Sequence, residues 1–237
     1  MARMQRLRGR VYAGDQAIRK SDLTSDGRHK MSIDEHSWHV LSLDQDDNVV
    51  ACLRFLDETQ ARGFDDLFVR HAAMAKCPTF GMRFRTAVEQ SLRLARQGAM
   101  RFGEVGGWAV AEEHRGTAEP LRIILATYGL LELLGSCAGV ATATFRHSSA
   151  RILRKIGLSA LAVGGEELPP YQDPQYGCQM QALQFDSRRP NPRFRESIAD
   201  LTRDLAMAPV VCPGSFSSAF GRVWLNFDAP KPAPAAA

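Results

Sequence analysis

What the 237-residue chain lacks narrows its class first. Its five cysteines (Cys52, Cys77, Cys137, Cys178, Cys212) are scattered, odd in number and never in C-x-x-C spacing. That excludes a fully paired disulfide framework and leaves no zinc or thiol-redox motif. No apolar run approaches the ~20 residues that span a bilayer. The longest apolar segment, Leu121 to Gly135, is broken by Arg122 and Glu132, so no transmembrane helix is expected. Arg3, Arg6, Arg8 and Arg10 are not followed by an apolar signal core, so a cytoplasmic location is expected and secretion is not. Excess charge is small too, with 30 Lys and Arg against 26 Asp and Glu. A net charge of +4 is small for a duplex-binding surface, which points to a small acidic partner and away from nucleic acid. His36 and His39 are spaced like two ligands on one helical turn but have no third, so no metal site is expected.

What is present is an ordinary globular core, 45% hydrophobic, enough for one domain with additions. The arginine-rich start reads as a short basic helix, followed by a polar stretch, with order beginning in earnest at Trp38. Val40 to Leu43 and Val49 to Phe55 flank the turn "DQDDN" and predict a hairpin. On the second strand Val49, Ala51, Leu53 and Phe55 share one face, which puts Arg54 on the other with Val50 and Cys52. Phe84, Val88, Leu92 and Ala95 recur at helical spacing between Phe80 and Gln97. Pro120 opens a buried helix over about 121–134, and strands are expected at 139–145, 158–164 and 177–186 around a short helix capped by Gly157. The main domain is therefore placed at 1–186. A C-terminal extension at 187–228 is expected to pack on it, and the Pro/Ala-rich tail at 229–237 is expected to be disordered.

One run concentrates unusual residues: "GEVGGWAVAEEHRG", Gly103 to Gly116. Two adjacent glycines in a strand interior mark a bulge or the close approach of a ligand. Arg115, the Gly116 amide and the first turn of the following helix converge where a helix N-terminus favours anions. Glu104, if partly buried, has a carboxyl raised toward neutrality and suited to general base work. Cys137 and Ser148-Ser149 lack a neighbouring base or nucleophile-elbow glycines, so nucleophilic catalysis is not expected.

The order hairpin, helix, "WAVAEEHRG", buried helix, strand, "HSSARILRKIG", strand resembles the GNAT acyltransferases. The resemblance implies an α/β (α+β) fold: a GNAT-like mixed central sheet flanked by helices. In that family an Arg/Gln-x-x-Gly-x-Gly/Ala loop binds a phosphopantetheine donor. Here the loop reads "RGTAEP", with Ala118 and Pro120 where glycines are usual, and Arg154 stands in the slot of a tyrosine acid. "DEHSWHVLSLDQDDNVVACLRF" followed by "GEVGGWAV" is similar to the long-chain N-acyl amino acid synthases, relatives of the acyl-homoserine lactone synthases, with Asp34, Arg54 and Glu104 at the matching positions.

The resemblance implies transfer of a long-chain acyl group from phosphopantetheine to the amine of an amino acid or similar small molecule. The donor is an acyl carrier protein, with acyl-CoA the alternative, and no cofactor is bound permanently. Catalysis falls to Glu104 and Arg54. Donor binding falls to Trp108, Val110, Arg115, Gly116 and Thr117, and acceptor binding to Asp34, Trp38 and Arg54. Phe145 and the buried helix would join Trp108 in an apolar tunnel, and Arg83, Arg85, Arg93, Arg96, Arg151, Arg154 and Lys155 would steer the acidic carrier. The product would bring transient membrane-lipid association. An acyl-homoserine lactone synthase and a GNAT-fold protein that has lost catalysis are the alternatives.

Overall fold

The computed structural model describes residues 1–210. The start of the chain departs from the sequence expectation. Order does not wait for Trp38: helix α1 (Ala2–Gly14) buries Met4, Leu7 and Val11 against Cys52, Ala109 and Ala111 of the sheet. Strands β1 (Ser37–Leu43) and β2 (Val49–Asp57) form the expected hairpin. The register slips so that Leu43 faces Val49 and Val50 is left as an extra residue. This bulge turns Val49 to the α1 side, while Ala51, Leu53 and Phe55 keep the opposite face.

A series of short 3-10 turns leads to helix α2 (Gly81–Gln97), which buries Phe84, Val88 and Leu92, then to β3 (Arg101–Val110) and helix α3 (Glu119–Leu133). Next come β4 (Cys137–Thr144) and helix α4 (Ser149–Ile156), ended by Gly157 at φ 134°. The strand expected over 158–164 is broken into β5 (Ser159–Ala160) and β6 (Ala162–Val163), and β6 pairs with β7 (Glu166–Glu167). β8 (Tyr171–Asp173), β9 (Cys178–Asp186) and helix α5 (Arg195–Ala206) complete the described chain.

The main sheet runs β1-β2-β3-β4-β9-β5, with β8 also on β9, and only the β3/β4 pair is parallel. α3, α4 and α5 cover one face around Leu53, Val105 and Leu183, and α2 covers the other around Phe102, Val140 and Ala182. α5 packs on α3 where Gly129 leaves room: a Cβ there would lie 3.0 Å from the Thr202 hydroxyl. The rest of the C-terminal extension and the tail at 229–237 lie outside the described residues. Among the described residues no helix is long and apolar enough to cross a membrane.

Candidate active site

The site arises where two strands part. β3 and β4 pair only from Arg101↔Cys137 to Val105↔Ala141, after which β3 runs on to Val110 and β4 to Thr144 unpaired with each other. On its other side β3 pairs Cys52↔Ala109 and then Arg54↔Gly106, so Gly107 and Trp108 together face Leu53. This is a bulge, with Gly107 at φ 62°, a left-handed conformation that costs other residues about 1–2 kcal/mol. The extra residue reverses the alternation of side chains. Val105 and Val110, of opposite parity, consequently enter the same core, while Ala109 meets α1. A bulge bends its strand, and here the bend carries β3 away from β4.

The gap widens into a cavity of roughly 850 Å³. Glu104 and Arg54 both line it, Arg54 Nη2 donating to Glu104 Oε1 at 2.6 Å. The pair is deeply buried, at 2% side-chain exposure for Arg54 and 9% for Glu104. Burial raises the Glu104 carboxyl above its ordinary value, and the Arg54 charge and hydrogen bond only partly offset this. Arg54 has donors to spare: Nη1 meets only the Met31 sulfur at 3.5 Å, and Nε is buried without a partner among the described residues. Its guanidinium also stacks 5.5 Å from the Phe68 ring centre.

Most residues expected from sequence converge here. Trp108, Val110, Arg115, Gly116 and Thr117 line the cavity together with Glu104 and Arg54. Asp34 and Trp38 do not. Asp34 is bound by Arg8, Gln5 and the Met31 amide, and Trp38 pairs with Phe55 and packs on the core. Phe145 is 45% exposed and outside the cavity. Arg115 is not free, because both Nη atoms donate to Asp15, at 2.9 and 2.8 Å. Arg83 pairs with Glu166 and Arg85 with Asp65 and Glu89, so much of the α2 positive face is answered within the chain.

Other site residues had no motif to announce them. Tyr12, Tyr171 and Tyr176 line the cavity from α1 and the β8–β9 hairpin, far apart in sequence. Burial raises all three phenols, so they stay protonated, and the Tyr12 hydroxyl donates to the Trp108 carbonyl at 3.3 Å. The Tyr171 hydroxyl is buried without a partner among the described residues, as is Trp108 Nε1.

Glu58, just beyond β2, accepts from the Phe68 amide at 2.5 Å and so holds the segment that brings Phe68 to Arg54. Burial pushes its carboxyl up to about 7 from 4.5. The folded chain thus keeps a proton between those pH values that the unfolded chain releases, and stability falls as pH rises through the window. Glu58→Gln mimics the protonated form. Relative to this variant, the wild type should lose up to roughly 3 kcal/mol between pH 4.5 and 7 in urea titrations; parallel pH profiles would refute it.

The sequence matches no protein-family model and no curated protein. Solved structures do share the architecture. BjaI, a CoA-dependent acyl-homoserine lactone synthase solved with SAM and isopentyl-CoA, is similar with a TM-score of 0.53 over 89% of this chain and 83% of its own, at 18% identity. MesI, also a CoA-dependent acyl-homoserine lactone synthase, is similar with a TM-score of 0.53 over 88% and 89%, at 16% identity. The fold is GNAT-like. FeeM, an N-acyl amino acid synthase from uncultured soil microbes, is a more distant likeness, with a TM-score of 0.49 over 82% and 92% at 11% identity. At such identities the likeness is one of fold, and chemistry has to come from the site.

Proposed function

We propose that the protein is an N-acyltransferase that moves a fatty acyl group from a phosphopantetheine thioester to the amine of an amino acid or similar small molecule. The observation that carries this reading is a buried carboxylate–guanidinium pair inside a cavity that opens where β3 and β4 part. A parted pair of strands offers unpaired backbone groups to an extended amide chain such as pantetheine, which can bond along them as a further strand would.

Arg54 engages Glu104 Oε1, leaving Oε2 without a protein partner among the described residues. Glu104 accepts a proton from the acceptor's ammonium, and the freed nitrogen attacks the thioester carbonyl. A C–N bond forms and the carbonyl becomes an oxyanion, for which the open edge of β3 beyond Val105 supplies backbone N–H donors. Collapse breaks the C–S bond, and the second amine proton goes to the departing thiolate, giving a thiol and an N-acyl product. Tyr171, protonated and without a hydrogen-bond partner among the described residues, is the cavity's candidate for assisting that transfer in place of the tyrosine missing at Arg154. The spare donors of Arg54 suit an acceptor that carries a carboxylate.

Expression in a bacterial host followed by lipid extraction and mass spectrometry tests this. New N-acyl amino acids are expected. Acyl-homoserine lactones would assign instead the activity named for BjaI and MesI, and no new product from cells holding folded protein would overturn acyl transfer. Purified acyl carrier protein and acyl-CoA substrates then identify the donor. The carrier, an acidic protein, should show turnover that falls steeply with salt.

A further inference from the structure

Three basic residues from two loops converge on Asp15 at the cavity rim: two reach its carboxylate and one its backbone carbonyl. Arg115, after β3, grips both Asp15 oxygens, at 2.9 and 2.8 Å. His147, between β4 and α4, places Nε2 3.2 Å from Asp15 Oδ1, and Arg146 donates to the Asp15 backbone carbonyl. All four residues line the cavity. Asp15 sits at the C-terminal cap of α1, where the helix dipole is negative and a carboxylate is disfavoured. Its backbone amide closes the helix on Val11, while its carboxylate is held by Arg115 and His147 from outside the helix.

The contact is also accessible. Side-chain exposures of 28% for Arg115, 18% for Asp15 and 50% for His147 leave one side of the contact open to solvent, so an incoming anion can reach it. The loop on the far side is strained: His147 and Ser148 both occupy the left-handed region, at φ 54° and 60°. Arg146 answers a carbonyl and, among the described residues, no carboxylate, so two arginines stand beside the single Asp15 carboxylate.

We infer that Asp15 is an internal plug in an anion seat made by Arg115, Arg146 and His147, and that it sets which donors enter: a phosphate ester on the donor must displace this carboxylate to reach Arg115. This rests on the acyl-thioester reading above and adds a specificity-determining residue to it. The seat discounts the binding of any phosphate-bearing thioester by the fraction of molecules in which Asp15 holds it, and leaves the pantetheine arm unaffected. A donor that docks by other contacts suffers that discount least.

Calorimetric titration of CoA and of phosphate-free pantetheine into the purified protein separates the possibilities. Asp15→Asn should bind CoA about tenfold more tightly and pantetheine equally, and adding Arg115→Met should abolish the gain. In the wild type, CoA should speed hydrogen exchange in the last turn of α1 and pantetheine should not, a readout that needs no variant. Pantetheine binding with a CoA affinity indifferent to Asp15, or an unchanged α1 exchange rate, overturns the plug alone. If pantetheine does not bind the wild type, the acyl-thioester reading falls and the plug with it.

Discussion

Glu104→Gln is expected to lower kcat/KM for amine acylation by about 10²–10⁴-fold with the fold retained. The substitution keeps shape and a hydrogen-bond acceptor for Arg54 Nη2, now 2.6 Å from Oε1, but removes the proton acceptor. A loss of that size corresponds to roughly 3–5 kcal/mol of transition-state stabilisation. The pH profile separates chemistry from structure. Because burial raises the Glu104 carboxyl, the wild-type rate should climb with an apparent pKa above the ordinary carboxylate value. Glu104→Gln should lose that limb, and Glu104→Asp should recover part of it. An activity within threefold of wild type, at a similar melting temperature, would remove Glu104 from the mechanism.

Asp34→Ala is expected to destabilise the protein by about 3–5 kcal/mol, the cost of leaving a buried charge unpaired. Arg8 is fully buried, at 0% exposure, and Asp34 nearly so, at 1%. Arg8 reaches both carboxylate oxygens, at 2.9 and 2.6 Å, while Gln5 and the Met31 amide donate to Oδ2 at 2.9 and 3.0 Å. Burial works to raise the Asp34 carboxyl, but the Arg8 hydrogen bonds and charge outweigh it and hold the group below 3.8. The pair's contribution is therefore complete above the unfolded value and lost as pH falls through the depressed folded one. Urea titration of Asp34→Ala and Asp34→Asn checks the magnitude. The same variants decide the acceptor-binding role assigned to Asp34 on family resemblance. A raised KM for the amine at unchanged stability would support that role; lost stability with unchanged KM in the surviving folded fraction fits a bolt between α1 and the loop before β1.

How much of this was legible beforehand depended on the range of the interactions. Helix α2, expected at 80–97, spans Gly81–Gln97, and β9, expected at 177–186, spans Cys178–Asp186, because a periodic apolar face is a property of neighbouring residues. Strands β5 to β8, two or three residues each, are too short to show a period. Arg8 reads as a surface charge in any window around it. Only its partner 26 residues away makes it a core residue, and with it α1.

The candidate site divides along the same line. Residue type and local spacing were enough to mark Gly106-Gly107 as a bulge or a point of close ligand approach, Glu104 and Arg54 as charges within strands, and a helix start after Arg115-Gly116. That β3 and β4 part, that Arg54 lies 2.6 Å from Glu104, that three tyrosines face the same cavity and that Asp15 occupies Arg115 came from long-range packing alone. Those facts join residues 100 positions apart, as Asp15 and Arg115 are, or more, as Tyr12 and Tyr176 are. Pairing across such distances is set by strand register and helix packing, which no local pattern encodes.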